Sequence, residues 1–110
     1  MESQHPVQHL ASRAAFHPVK PTKIDCFRSA RLLVGLNCLE AGQTQPVHAH
    51  AGADKFYFVV SGSARFLVGE TTTDAATGDL VLAPADVPHG VERALERTVL
   101  LVGIAPAPHG

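Results

Sequence analysis

Turn-forming residues interrupt this chain every seven to ten positions from Ala41 to Asp79, a spacing that leaves no room for helices of ordinary length. Ala41-Gly42, Ala51-Gly52-Ala53, Ser61-Gly62-Ser63, Gly69-Glu70 and Ala76-Thr77-Gly78-Asp79 each read as a reversal, and Ser61-Gly62-Ser63 reads as a tight hairpin. The segments between them are strand-like. Lys55–Ser61, KFYFVVS, combines aromatic and β-branched side chains and is the strongest β signal in the chain. Ala64–Val68, Thr71–Ala75 and Leu80–Ala83 follow, then Val91–Arg93 and Arg97–Ile104, RTVLLVGI, as the closing strand. Many short strands in 110 residues predict an all-β sandwich or barrel that forms one domain.

Upstream, Ile24–Phe27 and Arg31–Glu40 extend the β pattern. In RLLVGLNCLE, Leu32, Val34, Leu36 and Cys38 share one face while Leu33, Gly35, Asn37 and Leu39 share the other, so both faces are mainly apolar. Such a strand lies between the core and a second covering layer. Met1–Pro21 carries Pro6, Pro18 and Pro21 with no sustained period, which opposes a regular helix. It reads as a lead-in draped over the barrel or over a partner subunit. Its histidines, His5, His9 and His17, are spaced for a helix that the prolines discourage, so a metal site there is not expected. The domain plan is an N-terminal extension over residues 1–22, a barrel over 23–105 and a tail over 106–110.

Charge excludes several partners. Net charge is −1 and charged residues make up only 17% of the chain, so neither nucleic acid nor an anionic membrane is an expected partner. Five of the nine cationic residues fall between Arg13 and Arg31, but they alternate with apolar and acidic positions and read as a solvated flank. No apolar run reaches membrane-spanning length, and the first thirty residues contain no apolar stretch of the secretory kind; the expected location is cytoplasmic. Cys26 and Cys38 do not make a disulfide framework, and Cys38 sits in an apolar strand pattern that suits a buried thiol.

The candidate chemistry is carried by histidine. His48 and His50, one residue apart in a β-leaning segment, project from the same side because side chains alternate across the pleat. His89 arrives on a separate segment, after Pro84–Pro88, a loop stiffened by its prolines. Three neutral imidazoles around one cation leave coordination positions open for water or substrate.

These stretches resemble the paired motifs of the cupin superfamily. Its first motif, G-x5-H-x-H-x3-4-E-x6-G, is matched by Gly42, His48, His50 and Gly62, and its second, G-x5-P-x-G-x2-H-x3-N, by Gly78, Pro84 and His89. Asp86 stands for the second motif's inner glycine and Arg93 for its asparagine. The motif glutamate is replaced by Lys55, or by Asp54 in the shorter register. The resemblance implies a small jelly-roll β-barrel with a divalent transition metal (iron, manganese, nickel or zinc) on His48, His50 and His89.

The absent glutamate leaves three arrangements open. The site is a three-histidine centre; or Asp54 turns inward and supplies the carboxylate, at the cost of exchanging the two faces of its strand; or Lys55 occupies the cavity in place of a cation. An ammonium about 4 Å from a divalent ion is repelled by roughly 8 kcal/mol at an effective dielectric near 20, so a charged Lys55 and a metal exclude each other at close range. Deprotonated, Lys55 is a candidate base or carbonyl-binding group. Tyr57 is a second catalytic candidate, weighed against an ordinary packed tyrosine. Gln43 and Gln45 precede the histidines as candidate hydrogen-bonding partners of a ligand or an imidazole.

With the family register, Lys55, Tyr57 and Val59 face the cavity while Phe56, Phe58 and Val60 face outward. An apolar outer face of this kind suggests a homodimer. By function, the resemblance implies a metal-dependent dioxygenase acting on a small organic substrate. The alternatives are a non-catalytic small-ligand-binding module and a metal-dependent isomerase or epimerase.

Overall fold

The computed structural model of the chain describes residues 6–108; His5, His109 and Gly110 fall outside them. The described residues form one short helix, α1 (Leu10–Arg13), and nine strands: β1 (Thr22–Arg28), β2 (Leu33–Leu39), β3 (Gln45–His48), β4 (Asp54–Ser61), β5 (Ser63–Val68), β6 (Thr71–Ala76), β7 (Leu80–Ala83), β8 (His89–Ala94) and β9 (Thr98–Ala105). They build two facing sheets, one ordered β1-β2-β9-β4-β7 and the other β3-β8-β5-β6, with every pairing antiparallel. Each strand read from the sequence is present, and the segment before the histidines adds a further one, β3.

The core lies between the sheets. β4 alternates as its sequence predicts: Lys55, Tyr57 and Val59 are buried, whereas Phe56, Phe58 and Val60 are half-buried on the outer face. Tyr57 and Val59 meet Phe66 of β5, Val91 of β8 and Leu100 of β9 in the main apolar cluster.

The Ser61-Gly62-Ser63 turn is not a hairpin, because β4 and β5 belong to different sheets. It is a corner. Gly62 accepts from Thr77 N–H at 3.0 Å and donates to the Thr77 hydroxyl at 3.1 Å, while Ser63 N–H donates to the Thr98 hydroxyl at 3.2 Å. Gly62 has φ +93°, and a Cβ there would run into the backbone of Arg97 and Thr98, so glycine is the residue this corner admits. The true two-residue hairpin is Gly69-Glu70, which joins β5 to β6 with Val68 opposite Thr71.

The outer face of the larger sheet explains why β2 is apolar on both sides. Cys26, Leu36, Cys38 and Val99 form a second buried cluster, closed from outside by Leu10, Ala14 and Phe16 of the N-terminal segment. Burying half of a phenylalanine is worth about 1 kcal/mol. The Arg97 guanidinium also stacks 4.1 Å above the Phe16 ring and is held there by Glu40 at 2.8 Å. The lead-in thus drapes over its own barrel. Among the described residues the one departure from its expected irregularity is α1, which fits in the proline-free stretch between Pro6 and Pro18.

The same face stays open at the β7 edge. Leu80 and Leu82 are 58% and 62% exposed and lie opposite Phe58 and Phe56. Of the residues expected to face outward, Val60 packs into the second cluster, and the Phe56 ring lies across Gly103, in the space a Cβ there would take. The largest exposed apolar groups of this edge are therefore the two leucines.

Candidate metal centre

β3 is an edge strand bonded only to β8, and the register sets His48 directly opposite His89. Side chains so paired lie on one face and within reach of each other. Gly90, beside His89, allows the close approach: a Cβ there would lie 2.9 Å from the Gln45 carbonyl oxygen. His50, two residues beyond His48, keeps the same side, and its carbonyl accepts from Asp86 N–H at 3.0 Å. Asp86 itself has φ +67°, the left-handed conformation that the motif's glycine adopts freely and that a short polar side chain tolerates. Its carboxylate accepts from Gly52 N–H at 3.3 Å, which closes the loop carrying His50.

The three rings converge from these two segments. Ring centroids are separated by 4.7 Å (His48 to His50), 4.6 Å (His48 to His89) and 5.4 Å (His50 to His89), and one nitrogen of each lies within 4.8 Å of the others. Second hydrogen bonds fix the tautomers. His48 Nδ1 is 3.0 Å from the Pro46 carbonyl and His89 Nδ1 is 3.0 Å from that of Val87; a carbonyl only accepts, so each Nδ1 carries the proton and each Nε2 presents a lone pair. His89 Nε2 is buried and has no partner, and the Nε2 atoms of His48 and His50 approach to 3.1 Å. Three converging ring nitrogens, with a buried orphan among them, suit a shared cation, and neutral imidazole is the right donor for iron, nickel, manganese or zinc.

Burial favours the neutral form of His50 and His89. Burial pushes His50 down to about 4, with the positive charges of His48, Lys55, His89 and Lys23 acting in the same direction. Burial also lowers His89, partly opposed by its bond to Val87. In the unfolded chain these groups take up protons near 6.5, whereas the fold resists protonation until lower pH. The unfolded state then binds more protons as pH drops, so stability declines from pH 6.5 toward 4. Calorimetry of the metal-free protein should show Tm falling between pH 7 and pH 4.5, and falling less in His50→Ala; a flat profile contradicts these environments.

Of the carboxylate candidates, Asp54 is exposed and points away from the rings, accepting from Ala85 N–H at 2.8 Å. Lys55 takes the inward position. Its Nζ sits 4.5 Å from the centre of the Tyr57 ring, with no hydrogen-bond partner among the described residues. Burial, followed by the charge of Lys23, brings its pKa down to about 8. Tyr57 is fully buried against Phe66 and edge-on to His89, at 5.0 and 6.2 Å between centroids; burial raises its pKa, so the phenol stays neutral, and its hydroxyl has no partner. Gln43 serves the N-terminal segment, donating to the His17 carbonyl at 2.8 Å, and does not reach the imidazoles. Gln45 is buried, accepts from Asn37 Nδ2 at 3.4 Å and leaves its own Nε2 unpartnered.

Sequence reasoning missed one wall of the site. A cavity of about 840 Å³ opens beside His48 and His50, and its far side is built from His17, Lys20 and Lys23. These belong to the cationic stretch read as solvated flank. Its excess of lysine and arginine was the available signal, but only the docking of the N-terminal segment shows which of them face the site.

Residues 35–103 match the model of the cupin domain. The chain is a cupin. An uncharacterised protein of Streptomyces coelicolor is 42% identical over 79 residues, which cover 72% of this cupin and 74% of that relative. A crystal structure of a Thermus thermophilus protein superposes with a TM-score of 0.89 at 39% identity, spanning 94% of this cupin and all of that chain. An RmlC-like cupin from Desulfovibrio desulfuricans gives a TM-score of 0.78 at 28% identity, over 96% of this cupin and 97% of that chain. The jelly-roll class and the two motifs read from the sequence agree with these likenesses.

Proposed function

We propose that this cupin binds one divalent transition metal through the Nε2 atoms of His48, His50 and His89 and offers it to a small organic molecule entering from the cavity beside β3. One observation carries the reading: three imidazoles from two distant segments meet with one ring nitrogen of each within 4.8 Å of the others, and the most buried of those nitrogens has nothing else to bond. When bound, the ion supplies Lewis-acid polarisation and a template for orienting ligand oxygens. The protein contributes two rings, His50 and His89, whose burial favours the neutral form, carbonyls of Pro46 and Val87 that fix the rings of His48 and His89, and an apolar core around Tyr57 behind His89. O2-dependent cleavage of a small dicarbonyl-type substrate is the enzymatic form of this reading, to be assayed by oxygen uptake.

The test is elemental analysis of protein purified without an affinity tag and reconstituted separately with iron, manganese, nickel and zinc. One equivalent of at least one metal is expected. Substoichiometric content after all four rejects the reading.

The assembly we propose is a homodimer through the β7 edge. β7 terminates the five-stranded sheet, so a second copy bonded antiparallel to it would continue that sheet and cover Leu80 and Leu82 on both sides. Sedimentation at micromolar concentration should give twice the mass of the chain, and a clean monomer removes the proposal. A cytoplasmic setting suits the two buried thiols, Cys26 and Cys38, neither of which is in a disulfide; among the described residues no helix is long and apolar enough to cross a membrane.

A further inference from the structure

We propose that the cavity beside His48 and His50 selects small carboxylates with an apolar body, and that Lys20 of the N-terminal segment and Lys23 of β1 are its specificity-determining residues. The inference deepens the metal-site reading and rests on it for the ion that would meet the ligand's oxygens; the charge pattern of the walls stands separately.

The formally charged side chains around this cavity are all cationic. Lys20, just before β1, and Lys23, within it, both line the space, and no aspartate or glutamate does. Three acids are engaged elsewhere: Glu40 with Arg97, Asp54 with the Ala85 N–H and Asp86 with the Gly52 N–H. Gln45, on the opposite wall, is 6% exposed, and its amide Nε2 is a buried donor without an acceptor. A buried donor left unpaired is costly, and a ligand oxygen is what would satisfy it.

A ligand meeting cations and N–H donors must bring acceptors and negative charge, which a carboxylate does and an alcohol or amine does not. Pro21 and Pro46 make part of the same lining and suit an apolar body. Lys20 and Lys23 also precede the region shared with the cupin family, which begins at residue 35. The selecting charges are thus supplied by the approach to β1 and its first residues, ahead of the matched span.

The experiment compares benzoylformate with its neutral amide, two probes of nearly the same shape that differ by one charge, by calorimetric titration of the full-length protein. The protein is first reconstituted with cobalt or zinc, and its metal content is measured by elemental analysis. Wild type should bind the acid at least about tenfold more tightly than the amide, a preference that shrinks in high salt because the lysines are exposed. The double variant Lys20→Gln with Lys23→Gln, altered only at surface positions, should lose most of that preference while its metal content and its affinity for the amide stay unchanged. Equal affinity for acid and amide in the wild type, no binding of either, or an unchanged preference in the double variant overturns the inference. If elemental analysis finds no metal, the metal-site reading has failed by itself. The same titration on the metal-free protein then decides this one: a lysine-dependent preference for the acid sustains it, and the lack of one sinks it.

Discussion

Lys55→Glu will bind a divalent metal about a hundredfold more tightly than wild type. The position is buried and faces inward in β4, so the substitution places a carboxylate on the same side as the three imidazoles without changing the register. Electrostatics set the direction. Even at about 8 Å, a unit charge facing a divalent ion is worth roughly 4 kcal/mol at an effective dielectric near 20, and replacing an ammonium with a carboxylate reverses its sign. Two effects reduce the gain: Lys55 already releases its proton readily, with a pKa of about 8, and a buried glutamate bears a desolvation cost of its own. About 3 kcal/mol surviving these deductions corresponds to the hundredfold. Lys55→Met removes the repulsion without adding attraction and should fall between the two. It should also raise the Tm of the metal-free protein, because at pH 7 wild type keeps an ammonium in an apolar floor. Competition titration with a chromophoric chelator measures the series; a glutamate variant no tighter than wild type shows that Lys55 does not face the ion.

His89→Ala will lower metal affinity by three orders of magnitude or more while leaving the metal-free fold close to wild-type stability. The first half follows from ligand count: two imidazoles on an edge strand and its loop cannot enclose an ion as three do. The second half follows from an offset. Truncating a fully buried ring forfeits its packing against His48, His50 and Tyr57, but it also removes a buried nitrogen that has no partner in the metal-free protein. Denaturant unfolding without metal should therefore differ from wild type by no more than about 2 kcal/mol, whereas the stabilisation that saturating metal gives wild type should vanish. A variant that still takes up one equivalent with wild-type affinity removes His89 from the centre.

What the sequence revealed is what depends on local period. The alternation in KFYFVVS placed Lys55, Tyr57 and Val59 inside, and the single residue between His48 and His50 put both rings on one side; these need only the pleat. Gly42, Gly62 and Gly78, each with positive φ, are where backbone sterics leave a local mark. The corner at Gly62 was misread as a hairpin because a tight turn looks the same whether the next strand pairs or departs to the facing sheet; the bonds to Thr77 and Thr98 that decide it come from residues 15 and 35 positions away. The wall carrying Lys20 and Lys23 was hidden for a related reason. Nothing in a proline-rich stretch says where it docks, and it is fixed by contacts such as Phe16 on the second apolar cluster and Gln43 on the His17 carbonyl. Asp86 lies between these cases: its mismatch to the motif's glycine was plain, and the left-handed backbone at that position shows that the geometry persisted when the residue changed.

β3 has a neighbour on one side only, and His48 closes its last pair with β8. An ion held jointly with His89 would rivet the free end of that ribbon, and the most weakly secured part of the barrel would become one of its slowest to open. Amide exchange at Val47 through His50 would then serve as an occupancy gauge, readable without knowing the substrate.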